Sequence, residues 1–310
     1  MLRRHVLGLL PAALLAACAK QQGKIRFALN WKPEPEFGGF YAASYAQHGL
    51  DVDLLPGGAG TPTVQMVGAG SAEFGIVEAD ELVVARARGN DVVAVFAAFQ
   101  DNPLALMAHA SQRFTEIGDI FKKNVTLAVQ RGLPYARLLE KQYSFSKVKV
   151  VPSPGGDLTA FLHDPTFVQQ VFLTSEYLTA KRDRADAQVF PISAAGFNPY
   201  SGAVATSGDY LRRNPNTVKA MVAAMREGWR AYLDNPQPTN QRMNQLNPSM
   251  ALGAFAETAE AQKPLIENEE AQRNGLGSMT RQRWLTLISQ LEELGDLPKL
   301  PSPDDCFKNF

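Results

Sequence analysis

Residues 91–102 read Asp-Val-Val-Ala-Val-Phe-Ala-Ala-Phe-Gln-Asp-Asn, an apolar run followed by three polar side chains. A run of this kind predicts a strand that is buried on both faces, as the strands of parallel sheets are. Gln100, Asp101 and Asn102 then mark the carboxyl end of that strand. We expect residues 91–99 to form a buried parallel strand, after which the chain crosses to a second lobe near residues 103–112.

Short strands and helices alternate on the N-terminal side of this run. Strands are predicted at 24–30, 51–55 and 74–78, and helices at 38–49, 61–67 and 80–88. Thr61 is expected to cap the second of these helices, because Pro62 follows at the first helical position. The alternation indicates βαβ units and a doubly wound α/β lobe.

The same alternation resumes beyond the crossing. Strands are predicted at 125–129, 148–151, 168–172, 187–191 and 200–206, with helices at 135–143, 158–162, 176–182 and from Pro215 onward. We therefore expect an α/β fold of two lobes, each a mostly parallel sheet flanked by helices. The first lobe comprises residues 23–108 together with about 200–310, and the second comprises residues 112–195.

Two facing α/β lobes enclose a cleft, and open sheets of this type bind ligands beyond the carboxyl ends of their strands. Those ends carry the candidate ligand-binding residues Asn30, Trp31, Gly58, Gly60, Thr61, Glu78 and Gln100 in the first lobe and Glu176 in the second. Tyr135 and Tyr200 are two aromatic candidates from the second half of the chain, and either could equally belong to a core.

The segment that follows the first strand, residues 30–41, combines aromatic and polar side chains. Trp31, Phe37 and Tyr41 offer flat apolar faces, while Asn30 and Glu34 offer directional hydrogen-bonding groups. This mixture suits a neutral or cationic heteroaromatic ligand that is stacked and recognised at its edge. The alternative is that Trp31 and Phe37 pack in the core and the acidic residues are solvated charges at a helix start.

Carboxylates end one strand in each lobe, and a glycine-rich turn ends another. Glu78 and Glu176 could each accept a hydrogen bond from an exocyclic amine or a ring N–H, or could be a surface or helix-capping acid. The turn at 57–61 could present backbone N–H groups to a ligand at a helix N-terminus. It has neither of the usual nucleotide-binding glycine patterns, and a glycine-rich turn without a ligand is the alternative.

Composition argues against several classes of protein. The formal net charge is zero, so no basic stripe points to nucleic acid. The four histidines show no metal-ligand spacing, and no Gly-x-Ser-x-Gly elbow or other catalytic set is present. We expect no metal, no cofactor and no enzymatic activity. The two cysteines, Cys18 and Cys306, leave no disulfide once Cys18 is lipidated.

The N-terminus has the pattern of a bacterial lipoprotein signal. Two arginines precede a short apolar stretch at 6–17, which ends in Leu-Ala-Ala-Cys at 15–18. This stretch is shorter than the roughly 20 residues that span a bilayer. We expect residues 1–17 to be a signal peptide, Cys18 to carry the lipid, and residues 18–22 to be a tether. The mature chain would then work outside the cytoplasm, anchored to a membrane. An ordinary secretory signal cut elsewhere is the alternative.

Several segments together resemble a known family. They are Leu29-Asn30-Trp31 with Pro33 and Tyr41, the residues at 70–76, 171–176, 198–200 and 229–233, and Gly277-Ser278-Met279-Thr280 with Trp284 and Leu291. In order and spacing they resemble the substrate-binding proteins of ABC transporters in the NMT1/THI5-like group, which includes thiamine-precursor pyrimidine-binding proteins. The resemblance implies a monomeric two-lobed Venus-flytrap fold (type II) that closes on a small ligand and delivers it to a permease with its ATPase.

The resemblance also ranks the ligands. A thiamine-precursor aminopyrimidine comes first, then riboflavin or another flat heterocycle, and then a sulfonate or nitrate, for which Lys32 is the sole basic residue in the first loop. A pyrimidine-synthesising enzyme of the same fold is a further alternative, but the clustered cysteines of such relatives are absent from this sequence. We expect Trp31 and an aromatic of the second lobe, Tyr200, to stack on the ligand while Glu176 accepts from its edge.

Overall fold

The computed structural model describes residues 23–310, and its framework is two five-stranded sheets. The expected signal peptide, the lipidation site Cys18 and the tether lie outside these residues. No helix within residues 23–310 is long and apolar enough to cross a membrane. The two sheets flanked by helices confirm the predicted two-lobed α/β fold, although both sheets are mixed rather than parallel throughout.

The first sheet contains β1 (Ile25–Ala28), β2 (Val52–Leu55), β3 (Phe74–Val77), β4 (Val92–Phe99) and β10 (Ser201–Ser207), in the order β2-β1-β3-β10-β4. The second contains β5 (Leu104–His109), β6 (Val125–Val129), β7 (Val148–Pro152), β8 (Phe167–Phe172) and β9 (Ala187–Pro191), in the order β7-β6-β8-β5-β9. The inner pairs β1–β2, β1–β3, β6–β7 and β6–β8 are parallel. Strands β5 and β10 are antiparallel to their neighbours.

Helices cover both sheets. They are α1 (Gly38–Ala42), α2 (Thr63–Gly68), α3 (Ala79–Ala87), α4 (Ile117–Ile120), α5 (Pro134–Tyr143), α6 (Thr159–His163), α7 (Glu176–Arg182), α8 (Gly208–Arg213), α9 (Pro215–Asp234), α10 (Gln237–Leu246), α11 (Leu252–Ile266), α12 (Glu269–Asn274), α13 (Arg281–Glu293) and α14 (Pro303–Cys306). Short 3-10 turns lie at Pro35–Phe37, Tyr45–His48, Ala110–Gln112 and Ile192–Ala195.

Strand β4 is buried along its whole length, as its apolar run predicts. The prediction that β4 pairs with a parallel neighbour is wrong. Strand β10 returns from the second lobe and lies between β3 and β4, antiparallel to both. The outer edge of β4 is covered by the end of the chain: the N–H of Ala97 donates to Gly277 O at 3.0 Å, and the N–H of Lys308 donates to Ala94 O at 2.8 Å. This cover explains how an edge strand can be apolar on both faces.

The crossing between the sheets lies at residues 100–103, slightly earlier than expected. Residues 104–108, which the sequence placed in the first lobe, belong to β5 and pair with β8 and β9 in the second sheet. The apolar run of β5 is nearly all buried between these partners. The correction therefore moves the start of the second lobe to Leu104.

Asparagine and aspartate side chains tie this crossing to the returning one at 196–200. The N–H of Asn102 donates to Asn198 Oδ1 at 2.8 Å, and Asn198 Nδ2 donates to Asp101 Oδ1 at 3.0 Å. Asn268 Nδ2 donates to the other oxygen of Asp101, also at 3.0 Å. The two connections between the lobes thus form one hydrogen-bonded hinge.

Helix α9 returns to the first lobe and packs closely against α1. The close approach depends on two glycines: a Cβ on Gly38 would lie 2.2 Å from the Tyr232 ring, and one on Gly39 would lie 2.1 Å from the Trp229 indole. Both rings are buried, and they meet edge to face at a centroid distance of 5.9 Å. Helix α1 is thereby fixed directly beyond the loop that follows β1.

Two local expectations need correction. The helix predicted at 38–49 is interrupted, because α1 ends at Ala42 and a 3-10 turn follows at Tyr45–His48. The N-cap of α2 is Pro62 rather than Thr61. The Thr61 hydroxyl oxygen instead accepts from Gly58 N–H and donates to Gly58 O, each at 2.8 Å, so it closes the preceding turn and is not available as a cap.

Candidate ligand-binding cleft

The loop that leaves β1 is held in place by the C-terminal helices. Asn247, next to α10, donates to Pro33 O at 3.3 Å, and Gln262 on α11 donates to Pro35 O at 2.8 Å. Pro35 then opens the 3-10 turn Pro35–Phe37. These contacts fix the backbone on both sides of Glu34, so this loop is a rigid wall rather than a free surface segment.

Trp31 and Glu34 are neighbours on this wall. Trp31 is 38% exposed, which is unusual for a tryptophan in a globular lobe. Glu34 is half-buried and receives hydrogen bonds from the Trp31 and Asn247 side chains, while burial raises its pKa above the usual range. Asn30 is also half-buried, and its Oδ1 has no hydrogen-bond partner within residues 23–310. These three side chains remain candidates for contact with a ligand.

Phe37 and Tyr41 do not face the cleft. They are 2% and 5% exposed and belong to the apolar cluster beneath the first sheet. The Arg242 guanidinium lies 5.8 Å from the centre of the Tyr41 ring and covers it further. The alternative interpretation, core packing, is therefore correct for Phe37, and Tyr41 is likewise structural.

Glu36 is an acidic group that follows no strand end directly, so the strand-end pattern does not indicate it. It is half-buried, and no hydrogen bond to its carboxyl group forms within residues 23–310. Burial, followed by repulsion from Glu34, Glu78 and Glu176, raises its pKa to about 8. Glu36 thus stands within electrostatic range of one carboxyl group from the second lobe and two from the first.

Glu78 follows β3 and faces the same space. Burial, with repulsion from Asp80, raises its pKa to about 8. The Ser201 side chain donates to it, and the N–H of Gly202 does so at 3.5 Å. Glu78 is the N-cap residue of α3, but its side chain makes no capping hydrogen bond to the helix. It is therefore not the helix-capping acid of the alternative interpretation.

The second lobe contributes Glu176 and Phe172 at the carboxyl end of β8. Glu176 is half-buried, burial raises its pKa, and its Oε2 accepts from the N–H of Phe172 at 2.8 Å. The Phe172 ring is 41% exposed. Phe172 is therefore an exposed aromatic residue of the second lobe whose backbone is hydrogen-bonded to Glu176, and its position at the end of a predicted strand was the available sequence signal.

Tyr200 does not fill that role, and the expected stack with it is wrong. It directly precedes β10 of the first sheet, is 1% exposed, and accepts a hydrogen bond from the N–H of Thr280 at 2.8 Å. The Arg283 guanidinium lies 3.8 Å from its ring centre. Tyr135 is likewise buried in the second lobe, where its hydroxyl donates to Gln170 Oε1. Both tyrosines therefore pack in the core.

The remaining candidates of the first lobe have structural roles. Gln100 is fully buried and donates to Ala97 O at 3.2 Å and to Ser278 O at 3.1 Å. Gly58 and Thr61 are hydrogen-bonded to each other within their turn, and Gly60 adopts a positive φ of 79° there. The turn needs its glycine for this geometry, so the alternative of a turn without a ligand accounts for it.

The two lobes touch at the rim of the cleft. Thr258 Oγ1 on α11 donates to Thr174 O at 2.9 Å, two residues before Glu176. Arg182 on α7 pairs with Glu257 on α11 at 2.5 Å. Glu34 and Glu36 from the first lobe thus lie within electrostatic range of Glu176 from the second, and Glu78 lies within range of Glu36. No group of three or more His, Cys, Asp or Glu side chains within residues 23–310 is arranged to hold a metal ion.

Known proteins are similar to this chain in sequence or in fold. Riboflavin-binding protein RibY of Chloroflexus aurantiacus is 22% identical over 305 residues, covering 92% of this chain and 85% of that protein. The periplasmic aliphatic sulphonate binding protein SsuA from Escherichia coli has a TM-score of 0.68 at 14% identity, covering 91% of both chains. The alkanesulfonate-binding protein SsuA from Xanthomonas axonopodis pv. citri has a TM-score of 0.64 at 12% identity, covering 94% of this chain and 100% of that chain.

These likenesses agree with the periplasmic binding protein fold that the two sheets and the hinge display. The family model described as NMT1/THI5 like matches residues 34–239, more than half of the chain, including Glu34 and Glu36, both connections between the lobes and the whole second sheet. The chain therefore belongs to the NMT1/THI5-like family.

Proposed function

We propose that this protein is the extracytoplasmic solute-binding component of an ABC importer and captures a small heteroaromatic ligand, a thiamine-precursor aminopyrimidine. The observation that carries the proposal is the cleft, where exposed aromatic rings and half-buried carboxyl groups from both lobes meet at a hinged interface. The proteins similar to it are named as binding proteins, which supports a binding role over the alternative of a pyrimidine-synthesising enzyme.

An aminopyrimidine matches the side chains of the cleft. Its ring can stack on the exposed faces of Trp31 and Phe172, and base–aromatic stacking is worth about 1–3 kcal/mol per base. Its exocyclic amine can donate to a carboxyl oxygen of Glu36 or Glu176, and such a hydrogen bond contributes about 0.5–1.5 kcal/mol, or about 1.5–3 kcal/mol where the acceptor is charged. Both lobes thus contribute to recognition of the ligand, so binding would favour closure.

Riboflavin is the second candidate, because RibY is named a riboflavin-binding protein and a flavin ring also stacks on aromatic side chains. A sulfonate or nitrate fits less well. Anions need donors and positive charge, whereas four carboxyl groups, Glu34, Glu36, Glu78 and Glu176, lie at the cleft, and Lys32 is a main influence on Glu34. The likeness to SsuA therefore extends to the fold and not to this proposed ligand class.

The partners follow from the same proposal. A binding protein of an ABC importer delivers its ligand to a permease that is driven by a cytoplasmic ATPase, and a lipid on Cys18 would hold this protein, as a monomer, at the membrane where the permease lies. Each buried CH₂ of such a lipid adds about 0.8 kcal/mol of membrane affinity.

Thermal unfolding of the purified protein tests the ligand class. The probes are 4-amino-5-hydroxymethyl-2-methylpyrimidine, riboflavin and ethanesulfonate. A ligand at 100 times its Kd stabilises the folded state by about 2.7 kcal/mol, so true binding raises Tm measurably. We expect the aminopyrimidine to give the largest rise. Tight binding of ethanesulfonate with no response to either heterocycle would overturn the proposal.

A further inference from the structure

Helix α11 connects the hinge of the protein to the loop that leaves β1. The carbonyl oxygen of Leu265, near the end of the helix, accepts from the N–H groups of Gln100 and Asp101, each at 2.9 Å. Carbonyl groups in the last turn of a helix have no partner within it, so this oxygen is free to bind the crossing segment. One turn earlier, Gln262 donates to Pro35 O at 2.8 Å. The end of α11 is therefore fixed both to the hinge and to one wall of the cleft.

The first half of α11 contacts the second lobe. Thr258 is 7% exposed, and its Oγ1 donates to Thr174 O at 2.9 Å. Glu257 pairs with Arg182 on α7 at 2.5 Å, and Arg182 also donates to Thr179 Oγ1 at 2.8 Å, which orients its guanidinium group. At about 1.5 Å per residue, both contacts lie about 10 Å along the helix from its hinge end. They therefore join the lobes at a distance from the hinge, where rotation about the hinge separates the two partners.

Apolar packing differs between the two helix pairs that join the lobes, α7 with α11 and α5 with α13. Within residues 23–310, Phe255 of α11 belongs to an apolar cluster of the first lobe alone, and Ala180 of α7 belongs to one of the second lobe alone. An open groove of about 500 Å³ lies between these two helices. By contrast, a single apolar cluster includes Leu139 of α5 and Leu291 of α13, and so continues from one lobe to the other. The lobes can thus separate between α7 and α11 without breaking a shared core.

We infer that Thr258 and Glu257, through their contacts with the second lobe, form a latch that holds the lobes closed without touching the ligand. This inference rests on the proposed function and extends it to residues outside the binding site. Arg182 lies six residues beyond Glu176 on α7, about 9 Å along the helix, so its pair with Glu257 is remote from that carboxyl group. A contact that exists only in the closed state raises the closed population, and with it the apparent affinity of any ligand bound between the lobes.

The two contacts of the latch contribute in different ways. The hydrogen bond of Thr258 is buried, so its loss leaves Thr174 O without this donor in the closed state. The side chains of Glu257 and Arg182 are 47% and 41% exposed, so their ion pair is the weaker contact and is screened by salt. Release of an uncharged ligand should therefore become faster as ionic strength rises.

Stopped-flow kinetics with 4-amino-5-hydroxymethyl-2-methylpyrimidine tests the latch. Thr258→Val keeps the shape of the side chain and removes its hydroxyl, so ligand release should be about five-fold faster while association hardly changes. Thr258→Ser keeps the donor and should restore release to the wild-type rate. Glu257→Gln should speed release about two-fold at low salt and have no effect at about 1 M salt.

Glu293→Gln is a matched control for Glu257→Gln. It removes another exposed glutamate that pairs between the lobes, with Lys141 at 2.7 Å, but at the helix pair that a continuous apolar cluster holds together. Release from this variant should equal that from wild type. If Glu293→Gln speeds release as much as Glu257→Gln does, the two helix pairs are equivalent and the latch is not specific to α7 and α11.

Small-angle X-ray scattering of the ligand-free protein tests the same latch without any ligand. The radius of gyration should be larger for Thr258→Val and Glu257→Gln than for wild type, and unchanged for Glu293→Gln. An unchanged radius in both latch variants would overturn the inference. If the aminopyrimidine does not bind wild type, the proposed ligand is wrong, and the scattering of the ligand-free variants still decides whether the latch exists. Thermal unfolding of each variant confirms that it is folded before these comparisons.

Discussion

Replacing Glu36 with glutamine should make the ligand-free protein more stable at alkaline pH. Glutamine has the shape of the protonated carboxyl group but cannot ionise, so it removes the repulsion that Glu34, Glu78 and Glu176 exert on Glu36. A side chain that only supported the fold would behave in the opposite way, because its replacement would remove a stabilising contact. The sign of the change therefore distinguishes a functional carboxyl group from a structural one.

The size of the effect follows from the pKa. In the folded protein the pKa of Glu36 is about 8, against 4.5 for an unperturbed glutamate. The folded protein holds this proton more tightly than the unfolded chain does. The stabilisation that the bound proton provides is therefore full below about pH 4.5 and is lost as pH rises through about 8. The difference sets a ceiling of about 5 kcal/mol. Glu36 keeps some contact with solvent and shares its repulsion with three neighbours, so we expect about 2 kcal/mol.

Thermal unfolding of wild type and Glu36→Gln at about pH 5 and about pH 8.5 measures this difference. The two proteins should unfold at similar temperatures at the acidic pH, and the variant should gain roughly 4 °C or more at the alkaline one. The control Glu292→Gln, at an exposed position on α13, should follow wild type at both. If Glu36→Gln unfolds at or below the wild-type temperature near pH 8.5, Glu36 is not held under repulsion and the reasoning fails.

Three further substitutions test other parts of the account. Trp31→Ala should weaken binding of the aminopyrimidine about ten-fold or more in calorimetry; the ligand-free Tm should barely change because the indole is 38% exposed, and the reverse pattern would make Trp31 structural. Tyr200→Phe should cost about 1 kcal/mol of stability in urea unfolding, because its hydroxyl accepts from the N–H of Thr280. A loss of ligand affinity in this variant would instead show that Tyr200 contributes to the binding site. Cys18→Ser should release the protein from the membrane fraction of cells, and retention equal to wild type would refute the lipid anchor.

The features that the sequence predicted correctly are those that depend on neighbours along the chain. Alternation of short strands and helices indicated the two-lobed α/β fold, and the apolar run of β4 indicated a fully buried strand. Trp31, Glu78 and Glu176 lie beyond strand ends as expected, and their contact with a ligand stays a prediction. In each case the prediction depends on a hydrophobic period, or on the end of a strand, that can be recognised within a few consecutive residues.

The tertiary structure alone decided which of several similar side chains face the cleft. Phe172 is exposed and its backbone binds Glu176, whereas Tyr200 is covered by Arg283, and Glu36 lies within electrostatic range of a carboxyl group of the other lobe. Strand β10 lies between β3 and β4 because the chain returns from the second lobe about a hundred residues later. A local pattern shows that one face of an element is apolar, but the partner that covers it comes from a distant segment. Packing between those segments sets the exposure, charge and pKa of each group in the cleft.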